Sequence, residues 1–266
     1  MTAHELPFGV LLRRWRERRR MTQADLAFAA ESSTRHLSCL ETGKSQPSRD
    51  MIARLAERLA IQLRDQNTLL LAAGFAPAFQ ERSLAGLDAA KAAIDSVLKA
   101  HKPYPAFAVD RHWNVVMSNS ALPQLYEGCS AGLLRSPVNA VRLVLHPEGM
   151  GPRIVNYAAW RAHALSLLRH EADARADPVI RDLLAEVAAY PMPPSSEAHG
   201  GFEASERLAT PLRVATRFGV MSFLSTVTVF GTPNDVTLSE LALEMLADDQ
   251  TAEIAKAMVE EQGALA

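Results

Sequence analysis

Two cysteines in 266 residues, Cys39 and Cys129, are too few and too far apart for a disulfide framework or a thiolate metal site. Such sparse usage suits a reducing compartment. Long hydrophobic runs are also missing. The most apolar stretch, "LLLAAGFAPAF", is broken by Gly74 and Pro77 and falls short of the ~20 residues a membrane-spanning helix needs. No charged-then-apolar-then-small pattern opens the sequence, so a cytoplasmic location is expected. No Walker, G-x-G-x-x-G, G-x-S-x-G or H-E-x-x-H signature occurs, and the eight histidines are scattered. Nothing therefore marks a nucleophile–base pair, a resident metal or a cofactor, and an enzyme is not expected. Repeats of about 20 to 50 residues are absent too, which excludes a solenoid. The net charge of −2 excludes a uniformly basic coat.

That near-neutral total hides an asymmetry. Residues 1–70 hold 12 lysines and arginines against 8 acids, whereas the remainder holds 16 against 22. A basic front joined to an acidic body suits a chain that meets a polyanion with one end.

The first 75 residues read as an all-α segment of five short helices. "FGVLLRRWRERRR" sets Leu11, Leu12 and Trp15 on one face and arginines on the others. "TQAD" forms a capping box from Thr22 and Asp25. "SSTRHLSCLETG" carries Leu37 and Leu40 inward and ends at Gly43. "PSRDMIARLAERLAI" starts at the cap Ser48, and "LRDQNTLLLAAGF" closes the set. With Leu37 and Leu40 inward, Thr34, Arg35, Ser38 and Cys39 must turn elsewhere. Arginine can grip guanine bidentately, and short hydroxyls reach bases or phosphates. The helix before it would cross the backbone, with Gln23 near a phosphate. From residues alone, a solvated helix face is an equal alternative.

The stretch "TQADLAFAAESSTRHLSCLETGKSQPS", followed by "MIARLAERL", resembles the phage-repressor-like (Xre) helix-turn-helix family over about residues 8–65. The resemblance implies DNA binding. It places Thr34, Arg35 and Cys39 at base-reading positions and Gln23, Ser38 and Lys44 on the backbone, with Ser33 at the front of the same helix. It also implies a buried ion pair between Arg16 and Glu41. Many relatives have Gly-Val where this chain has Glu31-Ser32, which points to a looser turn.

Residues 76–83 read as a linker, and the texture then changes. "LAGLDAAKAAIDSVLKA" is an amphipathic helix. "PAFAVDRHWNVVMSN" reads as two short strands around Asp110-Arg111. Helical segments follow at "ALPQLYEG", "NAVRLVLHPEG", "PRIVNYAAWRAHALSLLRHEAD" and "PVIRDLLAEVAAY", then a loop at 190–201. "ERLATPLRVAT" and "GVMSFLSTVTVFG" read as a β-hairpin. "LSELALEMLA" and "QTAEIAKAMVEE" read as helices. Strands at both ends with helices between suit an antiparallel sheet with helices on one side. The apolar strand residues, Phe107, Met117, Met221 and Phe223 among them, could fill a core or line a cavity. His112 and His146 read as structural groups.

"AHKPYPAFAVDRHWNVVMSN", "NAVRLVLHPEGMGPRIVNYAAWRAH" and "LSTVTVFGTPNDVTLSELALE" look like the MmyB-like ligand-binding domain that follows Xre-type helices in bacterial regulators, over about residues 84–255. The resemblance implies a PAS-like α+β domain that takes a fatty-acid-like ligand, in a homodimeric regulator bound to double-stranded operator DNA. Asn119, Arg142, Asn156 and Trp160 are the matching polar positions, with Arg142 the choice for a carboxylate or for pairing with an acid such as Glu148. The expected organisation is a helix-turn-helix bundle at 1–75, a linker at 76–83 and a PAS-like domain at 84–266. A regulator whose second domain only mediates dimer or partner contacts is the alternative.

Overall fold

The structure, a computed structural model, describes residues 6–175, 177–193, 210–217, 219–231 and 233–247. The helix expected at 250–261 lies outside them, as does most of the loop at 190–201. The chain divides into two compact units, one of Met1–Ser83 with Gly231–Ser239, the other of Leu84–Phe230 with Glu240–Ala266.

The N-terminal part of the first unit is built of α1 (Phe8–Arg18), α2 (Gln23–Ala29), α3 (Thr34–Glu41), α4 (Arg49–Arg58) and α5 (Leu63–Ala72). The starts of α2, α3 and α4 follow side chains that satisfy free amides. Thr22 and Asp25 form the capping box of α2, Ser33 accepts from the His36 amide, and Ser48 accepts from that of Met51. Leu12, Leu26, Leu37, Leu40, Ile52, Leu55 and Leu59 meet in one buried core. A Cβ at Gly9 would lie 2.5 Å from the carbonyl oxygens of Leu40 and Glu41, so only glycine lets α1 approach α3 this closely. The turn between α2 and α3 is closed, not loose. Ser32 donates to the Ala27 carbonyl at 2.8 Å, and Glu31 takes the left-handed conformation (φ 53°) that favours glycine.

Residues 231–239 complete this unit. Val236 is buried and its amide donates to the Gln80 carbonyl at 2.9 Å, while buried Asp235 accepts from Arg82 at 2.9 Å.

The second unit contains α6 (Asp88–Ala100), β1 (Ala106–Val109), β2 (Val115–Ser118), α7 (Ala140–Leu145), α8 (Tyr157–Arg175), α9 (Pro178–Ala188), β3 (Leu212–Thr216), β4 (Gly219–Val229) and β5 (Ala242–Ala247). The strands form one antiparallel sheet in the order β2-β1-β5-β4-β3, with α7, α8 and α9 inserted in the chain between β2 and β3. This is the α+β, PAS-like arrangement expected.

One element is corrected. "LSELALEMLA" is not one helix: only Leu238 and Ser239 are helical, closing a short turn at Val236–Ser239, and Ala242–Ala247 form β5, the central strand. Ala, Leu, Glu and Met favour helices, but here they fill the slot between β1 and β4 and complete both hydrogen-bond ladders. A central strand buried on both faces shows little polar alternation, so its periodicity does not distinguish it from a helix.

Candidate functional site

The front of α3 presents Thr34 and Arg35 to solvent, with Lys44 exposed just beyond its end. The side chains of these three make no hydrogen bond or ion pair among the described residues, so their donors are available to an incoming anion or base edge. Ser38 and Cys39 are half-buried. Ser33 uses its oxygen as the α3 cap, accepting from His36 at 3.1 Å, and its O–H is still free to donate.

Behind this front lies the ion pair. Arg16 Nε and Nη2 reach Glu41 Oε1 and Oε2 at 2.6 and 3.0 Å, and Arg16 Nη1 donates to the Met21 carbonyl at 2.9 Å. Gln23 belongs to the same network, its Nε2 donating to Glu41 Oε2 at 2.8 Å. One N–H of that amide remains for a phosphate. The pair ties α1 to the end of α3 and, through Gln23, to the start of α2.

The second unit holds a partly open cavity of about 330 Å³ against one face of its sheet. Phe107, Glu244 and Val227 stand side by side on β1, β5 and β4, with Ser225 and Leu246 on the same strands. Val141, Val144 and Leu145 of α7 and Trp160, Ala164 and Leu168 of α8 form the walls. Trp113 reaches in from the β1–β2 turn with a positive φ of 66°, an uncommon conformation for a bulky residue, and its indole donates to Glu171 at 2.9 Å. Asp110 closes that turn by accepting from the amides of His112 and Asn114.

Of the eight residues expected to hold a ligand, Phe107 and Trp160 line this cavity; the other six are not among its lining. Met221 and Phe223 are buried in the core with Tyr157 and Val214. Met117 is half-buried on β2. Asn119 is a structural clamp: its oxygen accepts from Ala106 and Ala121, and its nitrogen donates to Leu98 and Tyr104. Asn156 fastens the start of β3 through Pro211 and Arg213. Arg142 does bind an acid, but it is Glu186 of α9, held bidentately at 2.6 and 2.7 Å, and not Glu148. That contact holds the Glu186 carboxyl below the usual range. The three polar or charged groups, Asn119, Asn156 and Arg142, share one cause: a buried or half-buried side chain takes whichever partner the fold brings closest, and most of these partners lie far away in sequence.

The polar lining that does exist was hidden in β5. Glu244 is 6% exposed and accepts from the Ser225 hydroxyl. Burial pushes its carboxyl above the usual range, against the pull of Ser225, and nearby Glu171 pushes the same way. A lone acid in the apolar run "LALEMLA" was the available signal. Read as a helix, that acid counts as a solvated face.

A helix-turn-helix domain model matches residues 7–69, and the model of the MmyB-like transcription regulator ligand binding domain matches residues 90–257. The chain belongs to the MmyB-like transcription regulators. No curated protein matches it significantly. In this MmyB-like regulator the α1–α5 unit is the DNA-binding domain, and the sheet with its cavity lies in the ligand-binding domain. No helix of the described residues is long and apolar enough to cross a membrane.

Proposed function

We propose that this regulator recognises its operator by sequence, as a homodimer, and that a fatty-acid-like ligand with an acyl chain in the 330 Å³ cavity shifts that binding. The apolar lining is the observation that carries the ligand reading. Each CH₂ that leaves water for such a lining contributes roughly 0.8 kcal/mol. For regulation, the ligand must bind the DNA-competent and incompetent states unequally, because equal affinity shifts nothing. A filled core serving only partner contacts would need no such space.

Unbranched alkyl compounds of increasing length, titrated against the full-length protein with and without operator DNA, test this. Affinity is expected to rise with length until the cavity is full and then to fall. A response independent of length would leave the partner-contact role instead.

For the DNA side, Arg35 is the residue proposed to read a base, with Thr34 and Cys39 beside it and Gln23, Ser33, Ser38 and Lys44 serving the backbone. Arg35→Ala should weaken operator binding by about 1–3 kcal/mol and relax preference at one base position. Equal losses on operator and random DNA would remove Arg35 from the reading set. One helix-turn-helix covers few base pairs, and half-sites about 34–36 Å apart are the usual remedy, which is why a homodimer is proposed.

A further inference from the structure

Two strands that line the cavity are joined by a segment of the DNA-binding domain. β4 contributes Ser225 and Val227 to the lining, and β5 contributes Glu244 and Leu246. The chain between them, Gly231–Ser239, belongs to the unit built on α1–α5. Its own bonds fasten it there. Asp235 and Val236 are buried, Asp235 forms a parallel bridge with Gln80, and the Val236 amide donates to the Gln80 carbonyl at 2.9 Å. One Asp235 oxygen accepts from Arg82 Nε and the other from the Thr237 amide, both at 2.9 Å. The Thr237 hydroxyl donates to the Arg82 carbonyl at 2.6 Å. Asn67 of α5 holds the preceding residues, accepting from the Ala78 and Phe79 amides and donating to the Phe79 carbonyl.

The root of this excursion is tied to the cavity. Val229 and Ala242 face each other across the β4–β5 ladder, and Ala242 pairs with Val109 on its other side. Glu240 accepts from Arg111 at 3.1 Å, in the turn that carries Trp113 to the lining. Val227, Glu244 and Trp113 thus each stand two residues along the chain from Val229, Ala242 and Arg111.

We propose that the Gly231–Ser239 excursion is the element through which a ligand in the cavity alters operator binding, its docking on residues 80–82 transmitting the change. This rests on the ligand reading above and adds how the two functions are coupled. A chain seated among the liners displaces side chains of β4, β5 and Trp113, and a close-packed interior passes such a shift on instead of absorbing it. Because Val229 and Ala242 are paired, both ends of the excursion move together. A loop free in its middle would take up that movement as slack, whereas buried Asp235 and Val236 hold this one to the DNA-binding domain. The coupling is then set by the ligand's unequal affinity for the docked and displaced arrangements.

The full-length protein, a duplex selected on it from a random pool, and dodecanoate below its aggregation threshold supply the test. In the wild type, saturating dodecanoate should change the Kd for that duplex by at least about fivefold, and the duplex should change the Kd for dodecanoate by the same factor. Arg82→Ala and, more gently, Thr237→Val loosen the docking without touching the cavity lining or the front of α3. Both should hold the dodecanoate Kd without DNA within about twofold of wild type, while the shift in DNA affinity falls below about twofold. Hydrogen exchange needs no variant: dodecanoate should change the exchange of the Val236 and Thr237 amides in the wild type. A full shift surviving in both variants would overturn the proposal and leave the ligand reading intact, as would unchanged exchange at both amides beside a full wild-type shift. If Arg82→Ala fails to fold, Thr237→Val and the exchange decide. Dodecanoate that leaves the wild type's DNA affinity unmoved would sink the ligand reading and the proposal with it.

Discussion

Glu41→Ala should cost the DNA-binding domain about 3–5 kcal/mol and abolish operator binding at temperatures where the wild type is folded. Removing the carboxylate leaves the buried Arg16 guanidinium with the Met21 carbonyl as its hydrogen-bond acceptor and only the exposed Glu17 carboxylate, 3.9 Å away, as counter-charge, and Gln23 loses the oxygen that holds its amide. The stranded charge accounts for most of the loss, because the pair itself gains little over apolar groups of equal size. Replacing both partners, Arg16→Met with Glu41→Leu, should therefore hurt less than Glu41→Ala alone. Thermal unfolding followed by circular dichroism, with operator binding measured in parallel, checks both statements. A double variant less stable than the single one would show that the ion pair is itself a net source of stability.

Asp177→Asn should cost the ligand-binding domain about 3 kcal/mol at neutral pH, with most of that difference vanishing in acid. Asp177 is buried where α8 passes into α9, and its Oδ1 caps α9 by accepting from the Val179 amide at 2.9 Å. Its Oδ2 accepts from Arg111 and, at 3.0 Å, from His112 Nε2. Burial alone would raise the Asp177 pKa, but the hydrogen bond and charge of Arg111, with help from His112 and the α9 cap, outweigh it and hold the carboxyl below its usual value. Because folding depresses this pKa, the stabilisation is complete above the unfolded value of about 4 and is lost as pH falls through the folded one. Asparagine keeps the cap but cannot balance Arg111, which retains Glu240 at 3.1 Å. Denaturation of wild type and variant across pH 2 to 8 measures the effect. A stability gap that stays constant down to the acid end would mean that charge is not what Asp177 contributes. The same cluster anchors the β1–β2 turn that delivers Trp113 to the cavity, so the variant should also bind alkyl ligands less well.

Sequence alone determined whatever depends on neighbours within a turn or two. Thr22, Ser33 and Ser48 announce their helices because a capping oxygen needs only the amide two or three residues on. Leu37 and Leu40 orient α3 because helical spacing puts both on one face, which leaves Thr34 and Arg35 outside. The Arg16–Glu41 pair, inferred from family resemblance, is in place because the whole α1–α5 unit carries that resemblance. What tertiary structure decided is what depends on distant partners. "ALEMLA" has the composition of a helix, and only the open slot between β1 and β4 makes it a strand. Glu244 thereby changes from an apparent surface acid into the buried polar group of a cavity. Arg142 advertises a carboxylate site, but α9 brings Glu186 to it first, and Asn119 and Asn156 are likewise used up by backbone groups remote in the chain. A donor's chemistry is written in the residue, whereas the group that satisfies it is set by whichever element packs within 3 Å.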